Sequence, residues 1–321
     1  MINLSTMQFY DQTVSDFPNG ITVALAYGSG VFKQQHQAIT SDNMVDFIFA
    51  VQDPLRWHTD NLARNPSHYS FLKYLGTEFI CTIQESFGAK VYYNTLVKHK
   101  ERVIKYGVIS VRSFCHELQN WNNLYISGRL QKPVLFIKGR EDPEIGPLLT
   151  SNLTNTLRVS LLMLPENFTE ESLYLTIAGL SYLGDFRMTI GENRNKVYNI
   201  VKPNLPQFRK LYYPILQSFE SVHINRDGYE IQQDCTSQTK LQYLSNLPKR
   251  LITEIKSNSG LDVHQIAKDR KCTDYVKNGI ATIVSESSKS QSLKGILSAG
   301  LLKSLLYSGM KLRKMMKGFI K

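Results

Sequence analysis

"LAYGSGVFKQ", residues Leu25–Gln34, continues an apolar run, "ITVALAY", that ends at Tyr27. That run predicts a buried strand over Ile21–Tyr27, closed by a Gly28-Ser29-Gly30 turn. Such a turn exposes backbone N–H groups with no side chains in the way. With the Ser29 hydroxyl and a helix N-terminus behind it, it suits phosphate oxygens. It is not a Walker A loop, because no Gly-Lys-Ser/Thr follows. Lys33 stands where a dinucleotide fingerprint needs its third glycine. Taken alone, the turn also fits an ordinary strand-to-helix connection.

The next apolar run, Met44–Val51, "MVDFIFAV", predicts a second strand with Asp46 near its middle. An unpaired carboxylate is expensive to bury, so Asp46 is either a satisfied structural acid or a metal ligand. A glycine-serine turn followed by an acid on the next strand is the layout of the nucleotidyltransferase superfamily related to DNA polymerase beta. There the turn holds a triphosphate and strand carboxylates hold Mg²⁺, an ion that takes oxygen ligands. The usual Asp-x-Asp pair is broken here, because Met44 occupies its first position. Asp42, Asp53 or an acid from the second half must supply the missing ligand. Asp185, in "SYLGDFRM" with Arg187 two residues on, is the leading candidate, although Gly-Asp is also a common turn.

Around these strands the chain reads as α+β. Asp53-Pro54 begins a helix that ends before Asn65-Pro66. Thr77–Phe87 is helical, Lys90–Val97 and Arg102–Ile109 form a hairpin, and Ser113–Trp121 is a short helix. Gly128–Pro133 reads as a basic turn and Val134–Ile137 as a returning strand. Residues 1–143 thus form a mixed sheet with flanking helices. Residues 144–257 form a compact helical module: Ile145–Leu164, Glu170–Tyr182, Pro206–Phe219 and Leu247–Lys256, with a small hairpin turning at Asp227-Gly228. In the remaining region, 258–321, Ser285–Ser292, "SESSKSQS", reads as a polar linker before a last helix.

Of the net charge of +11, +8 lies after Glu286, which leaves +3 for everything before it. That placement argues against a nucleic-acid groove over the whole surface. On a helical wheel, Leu297–Lys321 puts Leu301, Leu305, Leu312, Met316 and Phe319 on one side and Lys303, Arg313, Lys314 and Lys317 opposite. A basic amphipathic helix of this kind suits an anionic membrane interface, or a dock on the protein's own core. No run of 18 apolar residues exists, so no transmembrane segment is expected. The N-terminal residues resemble neither a signal peptide nor an Arg-rich presequence. The four cysteines have no C-x-x-C spacing and the seven histidines no zinc pattern.

Longer segments carry a more specific resemblance. "AYGSGVFKQ", "MVDFIFAVQDPLRWHTDNLARNPSHYSFLKYLG", "NWNNLYISGRLQKPV", "AGLSYLGDFRM" and "SAGLLKSLLYSGMKLRKMMKG" follow one another in order. In them the chain resembles the mitochondrial phosphatidate cytidylyltransferase family. The resemblance implies a Mg²⁺-dependent enzyme making CDP-diacylglycerol from CTP and phosphatidic acid, for cardiolipin synthesis. It also implies a nucleotidyltransferase domain, a winged-helix-like second domain, and peripheral attachment to the matrix side of the mitochondrial inner membrane through anionic lipids.

On that resemblance Tyr27, Gly28, Ser29 and Gly30 hold the CTP phosphates, and Asp46 and Asp185 ligate Mg²⁺. Lys105 and Tyr106 are placed on the hairpin to reach triphosphate and base. Arg129 and Lys132 are assigned to the nucleotide, Arg187 and Lys202 to the lipid phosphate. His68 is either a ligand contact or a hydrogen-bonded structural histidine. Two other readings compete. A nucleic-acid nucleotidyltransferase would want an intact Asp-x-Asp and a basic body. A non-enzymatic import assembly factor would not need Asp46.

Overall fold

The computed structural model describes residues 4–35, 43–190, 195–225 and 229–299. Five strands form a mixed sheet: β1 (Ile21–Tyr27), β2 (Val45–Val51), β3 (Tyr92–His99), β4 (Arg102–Ser110) and β5 (Leu135–Lys138). Their order is β3-β4-β2-β1-β5. β1 is antiparallel to β2 and to β5, and β3 and β4 form the expected antiparallel hairpin. β2 and β4 are parallel and need a long crossover, which the helices Pro54–Arg64 and Thr77–Ser86 occupy. Asp53 caps the first of these by accepting from the Arg56 N–H at 3.1 Å, with Pro54 in the first turn. Asp53 therefore serves a helix end and is not the missing metal ligand.

The two-residue period of the strands sorts the sheet into two faces. Phe47, Phe49, Tyr106 and Val108 pack with Tyr10, Phe17 and Trp57 on one side. Leu25, Tyr27, Ile48, Tyr93 and Ile109 pack with Phe114, Leu118, Ile126 and Ile145 on the other. Asp46, two residues before Ile48, lies on this second face, and so does Lys105, two before Gly107. That parity decides which side of the sheet carries the chemistry.

The second half is helical, as expected, around a three-stranded antiparallel sheet. Its strands are β6 (Asn167–Thr169), β7 (Val222–Ile224) and β8 (Glu230–Gln233), in the order β6-β8-β7. Asp227-Gly228, the expected hairpin turn, lies outside the described residues. Leu157, Tyr174, Phe208, Tyr212 and Leu251 form a core that continues through Ile266, Val276 and Ile280, and also takes in Trp121 and Leu124. The expected boundaries near 143 and 257 are therefore not edges of this core. The stretch read as a basic turn is in part a helix, Ile126–Leu130.

The expected linker is a larger departure. Ser285–Ser292 lies inside one helix, Cys272–Ala299. Its serines bond back to carbonyls of the same helix, while Gln291 and, just beyond the stretch, Lys294 meet the backbone of the sheet domain. Gln291 Oε1 accepts from the Ala89 N–H at 2.8 Å, and its amide donates to the Val91 carbonyl at 3.2 Å. Lys294 Nζ donates to the Gln84 and Phe87 carbonyls, each at 2.8 Å, and so satisfies the orphan end of the helix Thr77–Ser86. A Cβ on Gly88 would stand 2.6 Å from Gln291 Oε1, so glycine permits this approach. The long helix is thus part of the second core in its first half and a brace on the sheet domain in its second. The amphipathic segment beyond it, from residue 300, lies outside the described residues.

Burial of Lys294 lowers its amine to about 7 from the ordinary 10.5. The folded state then binds fewer protons than the unfolded one between these values, so this group's contribution to stability rises with pH across that window. Lys294→Met leaves two carbonyls without donors and should cost about 1–3 kcal/mol at pH 9. The difference from wild type should shrink towards pH 6, as denaturant titrations at the two pH values would measure.

Candidate functional site

β1 ends at Tyr27, and the chain turns at Gly28, which adopts φ +81°. The Val31 and Phe32 N–H groups both donate to the Gly28 carbonyl, at 3.1 and 2.9 Å. No helix begins in the described residues 31–35, so the expected helix N-terminus does not stand behind the turn there. The turn leans on the start of β2 instead. A Cβ on Gly28 would lie 3.1 Å from Asp46 Oδ2, and one on Gly30 would lie 2.5 Å from the Met44 carbonyl oxygen. Met44 thus gives the turn a backbone support in the place where the family layout has its first acid.

Strand register then sets a row across the sheet: Tyr27 on β1, Asp46 on β2 and Lys105 on β4 are successive neighbours. Lys105 Nζ lies 3.6 Å from Asp46 Oδ1 and 4.4 Å above the Tyr93 ring. The ring has room because Gly107 lacks a Cβ, which would meet Tyr93 Cε1 at 2.6 Å. The ladder between β3 and β4 is irregular between Asn94 and Val97, beside Lys105, and Leu96 there takes φ +53°. The Tyr27 and Tyr93 hydroxyls are 3.3 Å apart, and Tyr125 packs edge-on against Tyr93.

Cations converge on this row from the helix Ile126–Leu130 and from the second half. The Arg129 guanidinium lies 4.3 Å above the Tyr27 ring. Gly128 lets this helix touch Ser181, since a Cβ there would stand 2.8 Å from the Ser181 Cβ. Lys132 Nζ donates to the Ser181 hydroxyl at 2.8 Å and to the Gly128 carbonyl. Lys132 and Lys196 both lie over the Tyr182 ring, at 5.5 and 5.3 Å. Past Gly184, which packs against the Ala281 backbone, Asp185 accepts four hydrogen bonds from Arg187, the shortest 2.6 Å.

The electrostatics follow from this crowding. Burial pushes the Lys132 amine well below its ordinary range, and neighbouring Arg129 and Lys196 add to the effect. Burial and the nearby Asp46 charge push Tyr27 up to about 12. Burial would raise Tyr125 too, but Lys105, Arg187 and Arg129 around it bring it below 10.0. Cations are thus crowded in a desolvated setting, where an added anion would favour their charged forms.

Tyr27, Gly28, Gly30, Asp46, Lys105, Arg129 and Lys132 thus come together, with Ser29 at the tip of the turn and Arg187 close enough to act on Tyr125. Three expectations change. Tyr106 is on the opposite face, fully buried, its hydroxyl 2.9 Å from both Asn61 Nδ2 and His68 Nδ1. His68 is accordingly the hydrogen-bonded structural alternative. Lys202 pairs with Glu171 at 3.1 Å on the surface, and Lys196 stands by Lys132 and Tyr182 instead. Asp185 has its carboxylate hydrogen-bonded to Arg187, and no group of three metal-ligating side chains among the described residues includes it with Asp46. Tyr93, Gly107 and Tyr125 lie in segments that carry the resemblance but were given no role, and Lys196 lies outside them; strand parity from Lys105 would have found Gly107.

No cluster of three metal-ligating side chains exists among the described residues. A Mg²⁺ ion would instead meet Asp46, whose side chain is 19% exposed and stands beyond hydrogen-bond length from Lys105. This fits Mg²⁺ held by one or two carboxylates and completed by substrate phosphates and water.

A glycine turn resting on a strand carboxylate, with cations converging from both halves, has the chemistry that suits the polyphosphate of a nucleotidyl donor. The comparisons with known proteins name the class more closely. Residues 10–314 match the family model described as phosphatidate cytidylyltransferase, mitochondrial. Relatives of that name include one from Xenopus laevis, 46% identical over 96% of this chain and 94% of its own. Another, from Bos taurus, is 46% identical over 97% and 96%. The Homo sapiens protein is 45% identical over 91% of this chain and 67% of its own. The chain belongs to the mitochondrial phosphatidate cytidylyltransferase family. Among solved structures, a nucleotidyltransferase-like protein from Exiguobacterium sibiricum matches with a TM-score of 0.24 at 12% identity, over 91% of this chain and 76% of that one.

The turn's dependence on glycine is directly testable. Gly30→Ala forces the turn off the Met44 carbonyl and should cost about 1–3 kcal/mol. Gly179→Ala, in a helix with nothing within 4 Å of the new Cβ, should be neutral or stabilise by up to about 1 kcal/mol. Thermal unfolding of the two variants side by side checks the contrast.

Proposed function

We infer that the chain transfers the cytidylyl group of CTP to phosphatidic acid, giving CDP-diacylglycerol and pyrophosphate. A phosphatidate oxygen forms a bond to the α-phosphorus of CTP. The bond from that phosphorus to the oxygen bridging the β-phosphate breaks, and its electron pair leaves with pyrophosphate. Phosphatidate is already an anion at neutral pH, so the chain needs no strong general base. Its work is positioning and charge neutralisation.

The observation that carries this reading is the row Tyr27–Asp46–Lys105 directly behind Gly28, faced by Arg129 and Lys132. The turn N–H groups and the Ser29 hydroxyl bind triphosphate oxygens, and Lys105 and Arg129 neutralise the charge that builds on the leaving pyrophosphate. Asp46 would hold Mg²⁺, which supplies charge neutralisation and orientation of the phosphates when bound. Asp185 keeps Arg187 aimed for the anionic headgroup of the second substrate. The three-stranded sheet on the helical core of the second half supports a winged-helix-like reading of that domain.

The tail beyond residue 299, with no acid and six cations, supports peripheral attachment to an anionic membrane. The relatives are named as mitochondrial; the lipid substrate and the basic tail support the matrix side of the inner membrane as the reading for location.

The test supplies CTP, phosphatidic acid and Mg²⁺ and scores CDP-diacylglycerol. Asp46→Asn should lower turnover by about 10²–10³-fold with the fold intact. Wild-type turnover by this variant at saturating Mg²⁺ would sink the assignment of Asp46.

A further inference from the structure

Large apolar side chains stand exposed together on one part of the sheet domain. Phe71, Tyr74 and Leu75 lie on the short 3-10 helix Phe71–Leu75 and are 54, 81 and 56% exposed. Their neighbours Leu72, Ile80 and Ile83 face inward with Tyr69 and Tyr92, so the segment is anchored and its outer residues are held outward. Phe79 and Phe87, on and just past the helix Thr77–Ser86, are 41 and 59% exposed. A solitary exposed apolar residue needs no explanation; a group of this size does.

The end of the long helix joins the same patch. Gln291 and Lys294 bind the backbone at Ala89, Gln84 and Phe87, and the Ser70 hydroxyl reaches the Leu297 carbonyl at 3.4 Å. With those residues turned inward, Leu293 and Leu297, one helical turn apart, are 65 and 45% exposed. Cations border the patch: Lys73 lies over the Tyr74 ring, and Lys90 and Lys289 are exposed. Glu78 is an exposed acid on the same helix. The chain leaves the described residues at Ala299, beside this patch, and the 22 residues that follow contain six cations and no acid.

We propose that this patch is a membrane-contact surface, by which the sheet domain itself seats on an anionic bilayer. The inference rests on the lipid substrate proposed above. Aromatic and aliphatic side chains bordered by lysine are the chemistry of an interfacial contact, with apolar groups at the acyl boundary and cations at the headgroups. The position of the patch, at the exit point of a basic, acid-free segment, favours a bilayer over a second copy of the chain. Two contacts give stable anchoring where one alone is marginal.

The test uses the full chain with Phe71→Ser, Tyr74→Ser and Phe87→Ser combined, all at exposed positions. Flotation with phosphatidylcholine vesicles containing phosphatidic acid should show binding about tenfold or more weaker than wild type. Turnover of a short-chain, water-soluble phosphatidate should stay at the wild-type level. Unchanged vesicle binding overturns the proposal. So does a wild-type dimer that the three substitutions turn into a monomer without loss of vesicle binding. If the wild-type chain turns over neither substrate, the reading of its function fails, while the flotation result still judges the patch.

Discussion

The site depends on where one carboxylate sits. Asp46 is in the second strand of a five-stranded sheet, flanked in register by Tyr27 and Lys105, with Gly28 against its oxygens. The strand ladders fix its height along the sheet, and strand parity fixes its face. A slip of one residue would turn Asp46 into the aromatic layer around Phe49 and Trp57, where a charge has no partner. The apolar pattern of β2 forbids that slip, so the hydrophobic order of the strand also places its one charged group.

The cations complete what the carboxylate begins. They come from β4, from the helix Ile126–Leu130 and the turn after it, and from two helix starts of the second half, and each is held by something specific. Lys132 is tied to Ser181, Arg187 to Asp185, and Lys105 rests on Tyr93. Lys132 is buried with its amine pushed down by its surroundings. A group in that condition gains most from a negative ligand, because the ligand relieves the cost of burying the cation. The small residues Gly107 and Gly128 let ring and helix approach closely enough for these contacts.

The legible part of the sequence was the part governed by local pattern. The strands β1 to β4, the capped helix at Asp53 and the long helices of the second half follow from period, cap and turn residues, with end shifts of a few positions. The glycine turn and Asp46 were legible because glycine and a buried acid are costly choices inside apolar runs. Tyr106 was misplaced because adjacency to Lys105 in sequence means opposite faces in a strand. Asp185 was read as a metal ligand; in the fold it is a buried acid bonded to Arg187. Its partner, Arg187, two residues away, could not be read as such, because a turn conformation and not a periodic element brings them together. The serine-rich stretch was taken for a linker because polar residues were assumed to face water. In the fold the serines bond back to carbonyls of their own helix, Gln291 reaches the backbone at Ala89 and Val91, and the stretch stays helical.

That continuous helix has a mechanical consequence. Twenty-eight residues at about 1.5 Å each make a rod of about 42 Å. Its first half is built into the second core and its second half is bonded to the sheet domain. A rod without proline or a break does not serve as a hinge. The two cores therefore shift apart only if the helix bends or its Gln291 and Lys294 contacts let go. The spacing between the glycine turn and the cations of the second half is thus held by a segment far from either in sequence.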